Sequence, residues 1–336
     1  MTVMLRRAAL MLMMLPALAL AEASQSQAQS ESQSQSLLTA MAEAYRSLDY
    51  QGRFLYMHGN QLSTMKVRHA VIEGREYERL THLDGQLAEL IRQDEEVICI
   101  HPDRSITRLR VESGLGPMQF QERISQSLPA QYNVLLDGDG RVAGRDALRI
   151  RIAALDTHRH GYRLWIDRDS NLLLKSEMVD AGGLVLERIE FVTLDIDPGL
   201  TVEDFAAPGA SVVHAIEDLA LDSHPQGRVE LDMTWLPDGF AVLEKDLRRN
   251  TPDRAPVAAL AYGDGLASFT LFVEGLAEGV SAEEGVSRMG PTVAVSRLLD
   301  GANGAAERYL VTLVGEIPQD TAERVLAAAQ IKGSQQ

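Results

Sequence analysis

Two histidines one residue apart are the pair in this sequence with the best spacing for a metal. On a strand, His158-x-His160 would direct two imidazoles to one face, and neutral imidazole is a common zinc ligand. The pair lies in the polar segment Asp156–Gly161, with no third ligand nearby in the sequence. A metal pair is one interpretation, and a solvated loop without metal is the one that the sequence favours.

A second segment begins like a calcium-binding loop. Asp167, Asp169 and Asn171 occupy the first three ligand positions, but the loop also needs glycine at position six and glutamate at position twelve. Leu172 and Met178 stand at those two positions. The segment is therefore predicted to be a hairpin turn.

Nothing else in the sequence has the spacing of a catalytic site. The eight histidines are scattered, and the G-x-S-x-G pattern of a nucleophile elbow does not occur. We therefore expect no catalytic residues, no metal and no cofactor. Cys99 is the single cysteine, so no intramolecular disulfide can form, and its apolar neighbours predict a buried thiol on a strand.

The N-terminus has the three parts of a signal peptide. Arg6 and Arg7 precede the uncharged stretch Ala8–Leu20, which is shorter than the roughly 20 residues of a membrane span, and small residues lead to Ala21. Cleavage after Ala21 removes two positive charges and takes the formal net charge from −16 to −18. We expect an exported chain that does not bind nucleic acid, since so acidic a protein repels phosphates.

The elements that would position any site begin after a polar leader, residues 22–36. An amphipathic helix, Leu37–Leu48, is predicted next. About eleven segments with two-residue alternation then run from Arg53 to Leu194, interrupted by a short helix at Gln119–Leu128 and by turns such as Asp137–Gly140. These patterns predict one large, curved antiparallel sheet in a domain spanning residues 37–205.

The second half has its own pattern. Residues 206–226 are predicted to be a linker, and residues 227–332 a second, smaller domain. There, Val257–Tyr262 and Ala267–Val273 flank the turn Gly263–Gly265, which predicts a hairpin. The domain closes on a helix with Asp320 as the expected N-cap and Glu323 three residues later, a capping box.

Two aromatic residues of this half could serve a partner. Trp235 could fill the core or form an exposed ledge. In the strand Ala267–Glu274, Phe272 shares a face with polar residues, whereas Phe269 lies on the apolar face. Phe272 is therefore either covered by another element or an anchor for a partner.

Several blocks resemble one family. WLPDGF (Trp235–Phe240) followed by YGDGLASFTLFVEG (Tyr262–Gly275) resembles the MucB/RseB family, the periplasmic negative regulators of an envelope-stress sigma factor of the sigma-E/AlgU type. YQGRFLYMHG (Tyr50–Gly59), GRVAGRDALRIRI (Gly140–Ile152) and GYRLWIDRDSNLLLKSEMVD (Gly161–Asp180) are similar to its first domain.

The resemblance implies a fold of mainly β with α (α+β). The large N-terminal domain would be a LolA/LolB-like unclosed antiparallel β-barrel with helices, and the C-terminal domain a smaller α+β unit. It also implies a periplasmic protein that binds the periplasmic segment of a single-span anti-sigma factor of the RseA/MucA type. That binding would protect the partner from regulated proteolysis, and a lipid or lipopolysaccharide would relieve it. The alternative is a periplasmic lipid or lipoprotein carrier; those carriers lack the second domain. A homodimer is left open.

On this basis the sequence nominates two sets of residues. The predicted partner contacts, in or near the second hairpin, are Trp235, Asp264, Gly265, Phe272 and Glu274. The predicted lining of a lipid cavity, taken from alternate strand positions of the first domain, is Phe54, Tyr56, Leu164, Ile166, Leu174 and Met178.

Overall fold

The structure is a computed structural model that describes residues 33–86, 88–110, 128–207, 212–215, 230–245, 257–277, 279–301 and 308–332. The predicted signal peptide, nearly all of the short helix at 119–128 and most of the linker lie outside these ranges. Within them, no helix is both long and apolar enough to cross a bilayer.

The first half forms a helix, α1 (residues 33–47), and a twelve-stranded sheet, here called the first sheet. Its strands are β1 (Tyr50–His58), β2 (Gln61–Ile72), β3 (Arg75–His82), β4 (Glu89–Gln93), β5 (Glu96–Ile100), β6 (Ser105–Arg110), β7 (Tyr132–Val142), β8 (Arg145–Ala154), β9 (Gly161–Asp167), β10 (Leu173–Val179), β11 (Val185–Ile196) and β12 (Val212–Ala215).

The first sheet is built from two antiparallel meanders. Their order is β12-β6-β5-β4-β3-β2-β1-β11-β10-β9-β8-β7, so β1 and β11 join the meanders, and β12 and β7 form the two ends of an unclosed sheet. Neighbouring strands are antiparallel except β12, which runs parallel to β6. The predicted fold class, mainly β with an unclosed antiparallel sheet in the first half, is confirmed.

Helix α1 covers one face of the first sheet, here called the inner face. Leu38 and Met41 pack against β7–β10, and Ala44 and Tyr45 pack against β1–β3. The helix begins at residue 33, within the predicted leader, and Ser34 is fully buried. The leader prediction is therefore wrong for residues 33–36, because this polar stretch is helical where it meets the sheet.

A β-bulge in β7 changes what alternation alone predicts. A register shift between Leu136 and Asp139 lets β7 continue through the predicted turn at 137–140. The chain reverses instead at Ala143 and Gly144, both with positive φ. Within β7, position 140 must be a glycine because Trp165 lies against its backbone. A Cβ there would stand 2.7 Å from the indole Cδ1.

On the outer face of the first sheet lies a segment that follows β11. Residues 202–205 form a 3-10 helix, Val202–Phe205, whose Phe205 packs with Tyr77, Ile91 and Ile100. This segment brings main-chain carbonyl groups against the outer side of β2 and β3.

The second half contains a smaller, six-stranded sheet, here called the second sheet, with order β14-β15-β16-β19-β18-β17, and a two-stranded pair, β13-β20. Its elements are β13 (Glu230–Met233), β14 (Ala241–Lys245), β15 (Val257–Gly263), β16 (Ser268–Leu276), β17 (Gly285–Met289), β18 (Thr292–Asp300), β19 (Arg308–Gly315), helix α2 (Gln319–Ala327) and β20 (Ala329–Lys332).

Helix α2 packs on the second sheet with Ala322, Val325 and Leu326 in the core. The predicted capping box is wrong: Pro318 is the N-cap and no side chain caps the helix. Asp320 lies inside the first turn, where a carboxylate still favours the helix dipole.

Candidate functional site

Strand β16 places Phe272 on the side of the second sheet that faces away from α2. Phe269, Leu271 and Val273 are buried against α2, and Phe272 points the other way with 38% of its surface exposed. Its cross-strand neighbours are Ala259 and Thr312, which are too small to cover a phenyl ring. The predicted placement of Phe272 opposite the apolar face is what the structure shows.

Trp235 lies between α2 and the first half of the molecule. The Arg324 guanidinium stands 3.8 Å from its ring centroid, and the His158 ring meets it edge-on at 5.3 Å. Trp235 is half-buried beside the second core, so it is neither a fully buried core residue nor a free ledge.

Asp264 is buried rather than exposed. One carboxylate oxygen accepts hydrogen bonds from the main-chain N–H groups of Leu266 and Ala267, and the other pairs with Arg159. Both side chains of the Asp264–Arg159 pair are fully buried. The prediction that Asp264 contacts a partner is therefore corrected, because this carboxylate is already engaged inside the molecule.

Arg159 is the centre of a contact between the two sheets, here called the joint. Its guanidinium also binds both carboxylate oxygens of Asp156, at 3.0 and 2.8 Å, and the main-chain carbonyl of Asp238, at 2.7 Å. It lies near the rings of Tyr132 and Phe240, at 5.6 and 5.2 Å. Burial alone would raise the pKa of Asp156, but hydrogen bonds from Arg159 and the His158 amide outweigh it and hold that pKa below its ordinary value.

The tip of the second hairpin completes the joint. Leu266 is 2% exposed and belongs to the core cluster that contains Leu38, Met41 and Tyr132. Gly265, in the left-handed region, remains exposed next to Pro129. The hairpin tip therefore inserts an apolar side chain into the core of the first half.

The two histidines lie at the joint and not in a solvated loop, which corrects that expectation. His158 Nδ1 is 3.0 Å from Thr321 Oγ1 of α2. His160 is 4% exposed, and its pKa is lowered to about 4 by burial and then by Arg288 of β17, partly offset by Asp180. Within the described ranges no group of three His, Cys, Asp or Glu residues is placed to hold a metal.

The Asp167 segment is a hairpin turn, as predicted. The Asp167 carboxylate accepts two hydrogen bonds from Arg145, at 3.0 and 2.8 Å, and further bonds from the Ser170 amide and hydroxyl. Asn171 takes a positive φ to close the turn. Cys99 lies on β5 as predicted but is half-buried rather than fully buried.

Five of the six predicted cavity residues share the inner face of the first sheet. Tyr56 of β1 and Leu164 of β9 lie in one row across the sheet, with Ile189 of β11 and Ser176 of β10 directly between them. All five are in or beside the clusters on which α1 packs, namely Phe54, Tyr56, Leu164, Ile166 and Met178.

Leu174 is the exception. A bulge between Leu173 and Lys175 gives Leu173 the place beside Ile166, and Leu174 packs with Val142 and Trp165 on the opposite side. Its assignment to the cavity is corrected for this reason.

Comparison with known proteins agrees with the two-part organisation. Residues 33–211 match the family model for the MucB/RseB N-terminal domain, and residues 225–330 match the MucB/RseB C-terminal domain. The chain belongs to the MucB/RseB family.

Relatives in this family are named as regulators of sigma factors and not as enzymes. The sigma factor AlgU regulatory protein MucB of Pseudomonas aeruginosa is 36% identical over 291 residues, which cover 86% of this chain and 88% of that protein. The sigma-E factor regulatory protein RseB of Escherichia coli K12 is 25% identical over 302 residues, covering 86% and 88%. This MucB/RseB chain is accordingly a member of a family of regulatory proteins.

Solved MucB structures share the fold. A Pseudomonas aeruginosa complex of MucA and MucB matches with a TM-score of 0.71 and 31% identity, covering 90% of this chain and 100% of that one. A crystal structure of MucB in complex with MucA(peri) gives 0.70 and 32%, with coverage of 90% and 100%. The match to a structure of MucB alone is 0.58 and 31%, with coverage of 90% and 98%.

Proposed function

We propose that this protein binds the periplasmic segment of a membrane-spanning anti-sigma factor, shields it from regulated proteolysis and so restrains an envelope-stress sigma factor. The observation that carries this proposal is the similarity, across both sheets, to MucB solved in complex with MucA(peri). The signal-peptide pattern of residues 1–21 supports the export that such a role requires.

The face of the second sheet that is turned away from α2, and that carries Phe272, is our candidate for the partner surface. A flexible segment loses conformational freedom when it binds, so a few buried anchors must offset that cost. Phe272 is an exposed aromatic among small and hydroxyl neighbours, the type of residue that dominates binding energy when a partner covers it. Glu274 is half-buried on the same strand face, and Gly265 and Trp235 lie toward the joint.

The test is a titration of the mature protein with the periplasmic segment of its anti-sigma factor. Phe272→Ala should weaken binding by about 2 kcal/mol or more, roughly thirtyfold, with an unchanged melt. Val286→Ala is the matched control. Val286 is 49% exposed on the edge strand β17, and it lies with its cross-strand partner Val295 on the face of the second sheet opposite to that of Phe272. Equal affinities for wild type and Phe272→Ala would remove Phe272 from the surface, and no binding by wild type would overturn the regulatory proposal.

Protection from proteolysis needs its own measurement. We expect the wild-type protein to slow cleavage of the anti-sigma segment in proportion to the fraction bound. Cleavage at the free rate while the complex is saturated would contradict the shielding role and leave the binding role standing.

Relief by a lipid or lipopolysaccharide is the second part of the proposal. The five inner-face residues give an apolar lining, but α1 packs over it, so an acyl chain must displace that helix or enter beside it. We expect acylated probes to bind saturably and to compete with the anti-sigma segment. Absence of saturable binding would remove the lipid signal, while lipid binding without any anti-sigma binding would favour the carrier alternative.

A further inference from the structure

Four cationic side chains stand together on the outer face of the first sheet. Arg53 of β1 lies opposite Lys66 of β2, and Arg68 of β2 lies opposite Arg79 of β3. Directly opposed Cβ atoms are about 5 Å apart, and same-face neighbours along a strand about 7 Å apart. Like charges that are directly opposite destabilise a sheet, so folding alone gives no reason for this group, here called the cation quartet.

Charges on two other strands of the same face are paired. On β10 and β11, Lys175 lies 3.1 Å from both Glu177 and Glu190, and Arg188 lies 2.8 Å from Glu177. In the quartet, Arg79 pairs with Glu89 at 2.5 Å. Arg53, Lys66 and Arg68 form no ion pair with any residue that the structure describes. The quartet is therefore less compensated than the charges on β10 and β11 of this face.

Two arginines of the quartet also donate to main-chain carbonyl groups. Arg68 and Arg79 donate to the main-chain carbonyl of Asp204, at 3.5 and 3.1 Å, and Arg79 also to that of Ala206, at 3.4 Å. Their Nε–H groups are buried and find no acceptor within the described part of the chain. The guanidinium groups are thus positioned by the segment after β11 without being neutralised by it.

The acidic side chain of Asp204, in the segment after β11, is engaged elsewhere. The Asp204 carboxylate accepts hydrogen bonds from the Thr201 amide, at 3.0 Å, and from the Thr201 hydroxyl, at 3.3 Å, and so stabilises its own 3-10 turn. The pKa of Lys66 reflects the excess of positive charge around it. Burial lowers its pKa, and the charges of Arg68 and Arg53 lower it further, against a smaller effect of Asp204.

We propose that Arg53, Lys66, Arg68 and Arg79 form a binding site for a phosphate-class oxyanion, either free or carried on a lipid headgroup. A doubly charged oxyanion has several acceptor oxygens and can lie between two opposed cation pairs, where guanidinium groups bind it through charge-assisted hydrogen bonds. The protein carries a formal net charge of −16, so such binding must come from this local group and not from overall attraction. The site does not depend on the proposed regulatory function.

Lysine labelling tests the site directly, because the whole sequence has four lysines: Lys66, Lys175, Lys245 and Lys332. The mature protein is treated with an amine-reactive acylating reagent at rising sodium phosphate, with ionic strength held constant by chloride. We expect phosphate to protect Lys66 saturably and to leave the other three unchanged. Equal loss at all four lysines would overturn the proposal, and unchanged labelling of Lys66 would rule out free phosphate as the ligand.

Two variants locate the effect. Arg53 is exposed, so Arg53→Gln should keep the fold, and removal of one charge-assisted contact should weaken phosphate protection about tenfold. Arg75→Gln is the matched control, since Arg75 is exposed on the same face at the start of β3, away from the quartet. Equal weakening by both variants would mean diffuse surface charge and would contradict a defined site.

Vesicles distinguish the two sources of the oxyanion. Phosphatidylcholine vesicles with and without phosphatidate are offered to the same labelling reaction. Protection by phosphatidate vesicles but not by free phosphate assigns the site to a headgroup, and protection by free phosphate shows that the oxyanion alone suffices. Protection by neither overturns the inference.

Discussion

Two buried charge networks in the described part of the molecule differ in how completely their polar atoms are paired. At the joint, Arg159 uses Nε and both Nη atoms on two carboxylates and a carbonyl. Under α1, Glu78 accepts from Tyr45 at 2.9 Å and pairs loosely with Arg92 at 3.5 Å. There, Glu78 Oε1 and Arg92 Nε have no hydrogen-bond partner within the described chain.

The two carboxylates differ in exposure as well as in pairing, since the Asp156 side chain is 29% exposed and the Glu78 side chain 2% exposed. At the joint, the hydrogen bonds outweigh desolvation and hold the pKa of Asp156 low. Under α1, burial dominates and raises the pKa of Glu78 although Arg92 and His69 oppose it. A fully paired network strengthens the contact between the sheets, while a partly paired one makes the packing of α1 sensitive to pH.

Removing the central arginine should have the largest effect. Arg159→Ala leaves Asp264 buried without its partner, and breaking such a pair typically costs about 3–5 kcal/mol. Chemical denaturation should show a large loss of stability. In the double variant Arg159→Met with Asp264→Leu the loss should be much smaller, because the one carboxylate left without Arg159 is that of Asp156, which is 29% exposed to water. Equal losses in both would mean that packing and not charge holds the joint.

His160 lies at the same joint, and neither of its ring nitrogens has a hydrogen-bond partner among the described residues. Its pKa is lowered from 6.5 to about 4, so the unfolded chain binds a proton in that range and the folded chain does not. Stability should therefore fall as pH drops from 6.5 to 4, by on the order of 3 kcal/mol from this group.

In His160→Leu this loss should be absent, while stability at pH 7 should stay within about 1 kcal/mol of wild type, because His160 has no hydrogen bond to any residue that the structure describes. Urea unfolding across this pH range measures both. The same pH slope in wild type and variant would contradict the burial of a neutral His160.

Glu78 should show the opposite dependence on pH. Its pKa lies above the ordinary 4.5, so the folded state holds the proton more tightly. Its contribution to stability is full below pH 4.5 and is lost as pH rises through the raised pKa. Glu78→Gln should remove this slope and change stability by about 1 kcal/mol at neutral pH. The test compares unfolding free energies from pH 4 to 7, and an unchanged slope would exclude Glu78 as its source.

Breaking an exposed ion pair should give the smallest loss of stability in this comparison. Arg108 and Glu96 lie 2.5 Å apart, with about half of each side chain exposed. Arg108→Ala should cost less than about 1 kcal/mol, and less still at high salt, because water screens such pairs. A loss as large as that of Arg159→Ala would undermine the distinction between the networks and the surface.

The sequence predicts the strands of this protein well, because short-range alternation determines which side chains share a face. Gly161–Asp167 is a strand with Leu164 and Ile166 buried together, as predicted. The failures have local and long-range causes. The bulge at Leu173 moves Leu174 to the other face, and the N-cap at Pro318 replaces the expected capping box.

The joint could not be predicted because its partners are distant in sequence. Arg159 and Asp264 are 105 residues apart, and each has an ordinary interpretation in its own segment: a polar loop and a glycine-rich turn. One signal was available. Asp264 stands between two glycines in a hairpin with apolar strands, and Leu266 follows two residues later. An acidic and an apolar side chain together at a hairpin tip suggest that the tip inserts into another element.

Leu266 has a consequence for the order in which the chain is made and folds. It shares a core with Leu38 and Met41, which emerge from the ribosome more than two hundred residues earlier. Contacts of such long separation form late, because the intervening chain must first be closed into a loop. The core of the first half is therefore left with an unfilled place until the second hairpin has been synthesised, and the nascent protein gains its full stability only when nearly the whole chain is present.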